Sequence, residues 1–158
     1  MKIRRANKND IEVLATLLDS FDKEVVRFSP KSFSLKRSPG FQDNLERLAR
    51  SMLRNRKSVV LVAEENGECV GFVHGGFYLR KSFLYPKQKM MSVHDLFVLR
   101  KFREKGVATL LLEALRKRSK AKKYDLLEIG VSPNNLAAKN LYRKFGFKVR
   151  TERLWLKL

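Results

Sequence analysis

Residues 94–107, with the sequence HDLFVLRKFREKGV, decide the fold, because a buried-strand pattern gives way here to a basic turn that contains Gly106. Apolar residues at helical spacing follow at once, among them Val107, Leu111 and Leu115, so a strand leads directly into a helix. The first turn of a helix leaves backbone N–H groups without intrahelical partners, and the helix dipole adds about half a positive charge there. We therefore expect this junction to bind phosphate, with Gly106 allowing a ligand to approach the backbone.

Two motifs frame the second half of the chain. The turn 103–108, REKGVA, has the pattern RxxGxA and resembles the loop that binds the pyrophosphate of acetyl-CoA in the GNAT acetyltransferase superfamily. Residues 135–147, NLAAKNLYRKFGF, resemble the NxxAxxLYxxxGF signature of the same superfamily. The second motif is predicted to be a helix that begins at Asn135 and ends at Gly146. Residues 124–131 between the motifs read as a strand, which predicts a parallel strand pair with a right-handed crossover.

The resemblance implies a single α/β domain of the GNAT fold over residues 1–158. That fold has a mixed, mostly antiparallel sheet of about six to seven strands, with splayed central parallel strands and about four flanking helices. The upstream patterns agree with this order: strands are predicted at 3–6, 58–64, 69–73 and from 91, helices at 11–21 and 41–55, and a hairpin turn at Asn66-Gly67. The last residues, 154–158, are expected to form a closing strand with Trp155 in the core.

Charge and composition restrict the remaining possibilities. The 158 residues include 35 Lys and Arg against 16 Asp and Glu, a net charge of +19 that attracts anions and suggests an acidic or nucleic-acid-associated partner. No apolar run is long enough to cross a membrane, and the N-terminus lacks the apolar core of a signal peptide, so we expect a cytoplasmic protein. His74 has no second ligand at metal spacing, so no metal site is expected.

Acetyl-CoA is the cosubstrate that the resemblance implies. Its diphosphate would lie on the turn, and its pantetheine arm would lie in a gap between strands 96–99 and 126–131. The residues implied to contact it belong to the end of the first strand, the turn, the helix start and the second motif: Phe97, Val98, Arg103, Glu104, Lys105, Gly106, Val107, Ala108, Thr109, Asn135, Ala138 and Tyr142.

The implied chemistry needs a base to deprotonate the attacking amine and an acid for the departing thiolate. Asp95, Glu128 and His94 are the candidate bases, in that order. Strand alternation is expected to place Asp95 and His94 on opposite faces. The strand resembles the Glu-Asp-Leu-Phe-Val type of some polyamine and aminoglycoside acetyltransferases, with His94 in place of the first acid. Tyr142 matches the tyrosine that protonates the thiolate in this family, and the alternative is that it only packs in the core.

Two function classes follow. The first is an N-acetyltransferase that transfers the acetyl group of acetyl-CoA to a primary amine, on a small molecule or a protein, by direct attack in a ternary complex. The alternative is a basic nucleic-acid- or ribosome-associated binding module on a GNAT scaffold. The segments that usually select the acceptor, 21–40 and 80–90, carry no recognisable code. Edge strands near the C-terminus make a homodimer a further expectation, and membrane association is not expected.

Overall fold

The computed structural model describes residues 1–29 and 37–156, so most of the predicted loop between the first two helices lies outside the described residues. The helices and strands are β1 (Lys2–Arg5), α1 (Ile11–Phe28), α2 (Phe41–Arg54), β2 (Ser58–Glu65), β3 (Glu68–Arg80), β4 (Gln88–Val98), α3 (Val107–Ala121), β5 (Leu126–Ile129) and α4 (Leu136–Phe145). Each predicted helix is present, and a short 3-10 turn at Lys8–Asp10 precedes α1. Among the described residues, no helix combines the length and apolar character that a membrane span requires.

The sheet is mixed and mostly antiparallel, as expected. Its order is β1-β2-β3-β4-β5, with antiparallel neighbours except for the parallel pair β4 and β5. The described residues form five strands, which is fewer than the six to seven expected. The strand β3 also runs on to Arg80, beyond the predicted end at Val73, because it continues through a bulge at His74 and Gly75.

The predicted closing strand is wrong for residues 154–156, and residues 157–158 lie outside the described part of the chain. Residues 148–156 have no regular secondary structure, and Trp155 is 70% exposed rather than in the core. The alternating apolar pattern of this segment is typical of a strand, but a strand forms only when its backbone N–H and C=O groups find a partner. No described strand pairs with it.

Helices cover the sheet on both faces. On one face α1 and α2 bury Leu14, Leu17 and Ala49 against Val60 and Phe72. On the other face, which we call the α3 face, residues of α3 pack against the sheet, and Leu141, Tyr142 and Phe145 of α4 pack against the same cluster. Alternation along β2 explains the two layers, since Val60 and Val62 face α1 and α2 while Leu61 and Ala63 lie on the α3 face.

Ion pairs fasten β1 to the rest of the sheet. The guanidinium of Arg4 donates two hydrogen bonds of 2.8 Å to the carboxylate of Asp10, and its Nε donates to Glu64 at 2.7 Å. Asp10 is buried, and it also accepts a hydrogen bond from the backbone N–H of Asn7. The hydrogen bonds from Arg4 lower the pKa of the Asp10 carboxyl, so this carboxylate is charged and fully paired.

Candidate active site

A gap opens where the two parallel strands part. The strands β4 and β5 pair only from Met90 to Val93 and from Leu126 to Ile129, whereas β4 continues to Val98. The backbone N–H of Leu99 donates to the carbonyl of Val70 at 2.9 Å, so Leu99 points its amide toward β3. Successive residues of a strand direct their backbone groups to opposite edges. The N–H and C=O of Val98 therefore face the gap.

The turn before α3 presents free amides beside this gap. Gly106 is the N-cap of α3 with φ of +77°, and no side chain caps the helix. The first helical bond runs from Leu110 N–H to the Gly106 carbonyl at 3.0 Å, so the amides of Val107, Ala108 and Thr109 precede it. A Cβ built on Gly106 would have no atom within 4 Å. The helix start is thus an open, electropositive site of the kind that binds phosphate.

Arg103, the first residue of the RxxGxA motif, turns its side chain away from these amides. Its Nε donates to the carbonyl of Val98 at 2.8 Å, and its Nη2 donates to Glu24 at 2.8 Å. Glu24 lies on α1 and also pairs with Arg100 at 3.3 Å. These contacts connect the turn to β4 and to α1. Glu104, Lys105 and Gly106 are exposed, and Glu104 has a left-handed φ of +63°.

The second motif forms a capped helix on the other side of the gap. The side chain of Asn135 accepts a hydrogen bond from the N–H of Ala138 at 3.1 Å, and Gly146 ends the helix with φ of +107°. Tyr142 packs in the cluster on the α3 face, with its ring edge-on to Phe147 at 5.9 Å. Burial raises the pKa of its phenol to about 12, so the side chain is a neutral O–H donor at physiological pH.

A β-bulge changes the expected directions of the candidate bases. His74 lies opposite Asp95 but Gly75 lies opposite Val93, so His94 has no partner in the register. The prediction that His94 and Asp95 point to opposite faces is wrong, because the extra residue resets the alternation. The ring of His94 lies 5.0 Å from that of His74, over a position where a Cβ on Gly76 would collide with it.

Three polar side chains form a hydrogen-bonded row across β2, β3 and β4. The Oγ of Ser58 lies 2.8 Å from Nε2 of His74, and Nδ1 of His74 lies 2.9 Å from Oδ2 of Asp95. We call this set the Ser58–His74–Asp95 row. Sequence reasoning considered His74 only as a metal ligand and missed its contact with Asp95. No local pattern shows that contact, because the three residues come from three different strands.

Glu128 lies on the same face as Asp95. Its neighbours Leu127 and Ile129 pack against the cluster on the α3 face, so Glu128 points to the opposite side of β5. Tyr78 is beside it, and the pKa of that phenol is raised first by burial and then by the Glu128 carboxylate. The structure thus brings Asp95, His94 and Glu128 to one face of the sheet, near the place where the strands part.

Comparison with known proteins identifies the family. A family model described as the acetyltransferase (GNAT) family matches residues 21–147. The chain belongs to this family. It is 28% identical over 157 residues to the uncharacterized N-acetyltransferase YhfO of Bacillus subtilis, which covers 96% of this chain and 92% of the relative. These findings support an N-acetyltransferase and give no support to the alternative, a basic binding module.

Solved structures of other proteins have the same fold. A mutant of the BH1408 protein from Bacillus halodurans superposes on this protein with a TM-score of 0.86 at 25% identity. The superposition covers 100% of this chain and 99% of the BH1408 chain. The aminoglycoside acetyltransferase AAC(6')-Iy, solved in complex with a CoA bisubstrate analog, superposes with a TM-score of 0.78 at 18% identity. It covers 99% of this chain and 97% of its own, and at this identity the likeness concerns the fold alone.

Proposed function

We propose that this GNAT enzyme transfers the acetyl group of acetyl-CoA to a primary amine by direct attack in a ternary complex. The observation that carries the proposal is the parting of β4 and β5 after Val93 and Ile129, with the uncapped N-terminus of α3 beside the gap. The fold neighbour AAC(6')-Iy has been solved with a CoA analog, which supports acetyl-CoA as the cosubstrate.

The residues around the gap fit acetyl-CoA. The amides of Gly106, Val107, Ala108 and Thr109 can donate to its diphosphate, and the exposed Lys105 adds positive charge. The amide of Val98 can donate to the thioester carbonyl, whose oxygen gains negative charge as the amine attacks. The remaining residues proposed for this site shape its walls or its ends: Phe97, Arg103, Glu104, Asn135, Ala138 and Tyr142.

Proton transfers complete the proposed reaction. The acceptor must lose its ammonium proton before attack, and Asp95 is the first candidate base, followed by Glu128 and His94. The amine nitrogen then forms the C–N bond as the C–S bond breaks, and its second proton passes to the departing sulfur, so that the products are the amide and the free thiol of CoA. Tyr142 donates its O–H to the departing thiolate. A free thiol has a pKa of about 8.5, well below the value of about 12 for Tyr142, so the phenol stabilises the thiolate mainly as a hydrogen-bond donor.

Acetyl-CoA binding and turnover test the proposal. Calorimetric titration should give saturable binding, and the melting temperature should rise, because a ligand at 100 times its Kd stabilises the folded state by about 2.7 kcal/mol. Thiol release is then measured with butylamine, putrescine, L-lysine and a lysine-containing peptide as acceptors. Absence of acetyl-CoA binding at millimolar concentration would refute the proposal.

We also propose a homodimer, in which the C-terminal segment of one copy covers the outer edge of β5 of the other. The exposed apolar residues 154–156 suit that edge, which has no described partner strand. Light scattering should give a dimer for the wild type and a monomer for Trp155→Ser. The control Leu84→Ser, at another exposed apolar site, should stay dimeric. A monomeric wild type would contradict this proposal.

Two sequence-based expectations remain predictions. The first is an acidic or nucleic-acid-associated partner, suggested by the net charge of +19. The second is a cytoplasmic location.

A further inference from the structure

The Ser58–His74–Asp95 row crosses the face of the sheet that lies opposite α3. Val73 and Leu96 belong to the cluster on the α3 face, so their neighbours His74 and Asp95 point the other way. The side chains of His74 and Asp95 are 14% and 22% exposed, and Ser58 is buried. Buried polar groups are costly unless they are paired, and in this row each is paired with the next.

Asp95 is the end of the row at the gap between β4 and β5, and Ser58 is its inner end. Asp95 lies two residues beyond Val93, where β4 loses its pairing with β5. One carboxylate oxygen, Oδ2, is bonded to His74, and among the described residues this is the hydrogen bond that Asp95 makes through its side chain, which leaves Oδ1 available. Ser58 lies two strands away from β4, about 10 Å at the usual strand spacing, so it does not contact a group held in the gap.

We propose that His74 is a positioning residue, which holds the Asp95 carboxylate so that Oδ1 faces the attacking amine. The inference rests on the proposed acetyl transfer. A carboxylate only accepts hydrogen bonds, so Nδ1–H of His74 donates to Oδ2 and fixes the carboxylate. In that neutral tautomer Nε2 accepts a hydrogen bond from the hydroxyl of Ser58, which fixes the ring. The ammonium proton of the acceptor passes to Oδ1, and the freed electron pair on nitrogen attacks the thioester carbonyl.

The Ser58–His74–Asp95 row is polar, whereas the neighbouring positions on the same face of the sheet are apolar. Val60, Val62, Phe72 and Phe97 occupy neighbouring positions on the same face and are buried apolar residues. A further apolar pair at positions 74 and 95 would complete that layer without any cost of polar burial. A part-buried polar network at the place where β4 leaves β5 is therefore consistent with a role at the site rather than with packing.

Two substitutions of His74 separate positioning from folding. The amide nitrogen of Asn occupies about the place of His Nδ1, so His74→Asn keeps a donor to Asp95 and loses the contact with Ser58. The amide nitrogen of Gln occupies about the place of His Nε2, so His74→Gln keeps Ser58 and loses Asp95. We expect His74→Gln to lower kcat about tenfold or more, and His74→Asn to keep it within about threefold of wild type.

The assay uses acetyl-CoA and whichever of butylamine, putrescine, L-lysine or the lysine peptide the wild type acetylates fastest. The KM for acetyl-CoA and the denaturation midpoint should be alike in the two variants. Ser58→Ala leaves the Nδ1 donor to Asp95 in place and removes only the partner that orients the ring, so it should lower kcat less than His74→Gln does. Equal kcat values for the Asn and Gln variants would overturn the inference. A wild type that acetylates none of the amines would instead overturn the proposed function.

Discussion

Gly106→Ala tests whether the open start of α3 holds the diphosphate of acetyl-CoA. The new methyl group projects into space where no protein atom lies within 4 Å, so the folded protein does not clash with it. The backbone at position 106 has a left-handed φ of +77°, a conformation that costs an alanine about 1–2 kcal/mol of stability. A diphosphate lying on the same amides would meet the methyl group and lose hydrogen bonds to them.

The expected loss of affinity can be calculated from that contact. A hydrogen bond to a charged group contributes about 1.5–3 kcal/mol, and each 1.4 kcal/mol changes Kd tenfold. Losing one such bond should therefore weaken acetyl-CoA binding about 10- to 100-fold. Isothermal titration with acetyl-CoA measures Kd, and urea denaturation of the same samples measures the stability cost.

Gly40→Ala is a matched control within the same chain. Gly40 is the N-cap of α2 with φ of +69°, its Cβ would also meet nothing within 4 Å, and its carbonyl accepts the first helical bond at 3.0 Å. The two variants should lose similar stability, but Gly40→Ala should keep the wild-type Kd. A Gly106→Ala protein that binds acetyl-CoA within about twofold of wild type would refute the reasoning. So would an equal loss of affinity in both variants.

Two further predictions concern catalysis and stability. Tyr142→Phe should lower kcat about 10- to 100-fold with little change in Kd for acetyl-CoA, and unchanged turnover would show that Tyr142 only packs. Burial raises the pKa of Tyr142 in the folded state from 10.0 to about 12. The contribution of this phenol to stability is therefore fully present below pH 10 and is lost as pH rises toward 12. When denaturation is measured at a series of pH values, the free energy of unfolding of Tyr142→Phe should fall by about 2–3 kcal/mol less than that of the wild type over this range. Arg4→Met leaves the buried carboxylate of Asp10 without its ion-pair partner and should cost about 3 kcal/mol in urea denaturation at pH 7. A loss below about 1 kcal/mol would contradict this prediction.

The local patterns predicted the parts of the site that are built from consecutive residues. The strand, turn and helix of residues 94–121 and the capped helix from Asn135 to Gly146 both appear where the sequence placed them. Each depends on neighbours a few residues apart, such as the glycine that begins α3 and the asparagine that begins α4. The parallel pairing of β4 and β5 follows from the helix between them.

The Ser58–His74 contact could not be predicted because it depends on a bulge. The Asn66-Gly67 turn pairs Glu65 with Glu68, and an unbroken ladder from there would place His74 opposite Val59, on the α3 face. The register shifts by one between Ala63 and Glu64, so His74 lies opposite Val60 and on the face of Ser58. A second shift beside Gly75 turns His94 to that face as well. Neither shift has a sequence signal as specific as a turn dipeptide.

Arg103 shows how a motif residue can support a site through another group. Its side chain caps the carbonyl of Val98 and pairs with Glu24 of α1. Because that carbonyl is already bonded, Val98 offers a ligand in the gap its amide, and an amide is a donor. A donor suits the thioester oxygen, which becomes more negative during attack. We therefore infer that the arginine of the motif matters here by keeping the turn against β4, while the amides after it supply the phosphate contacts.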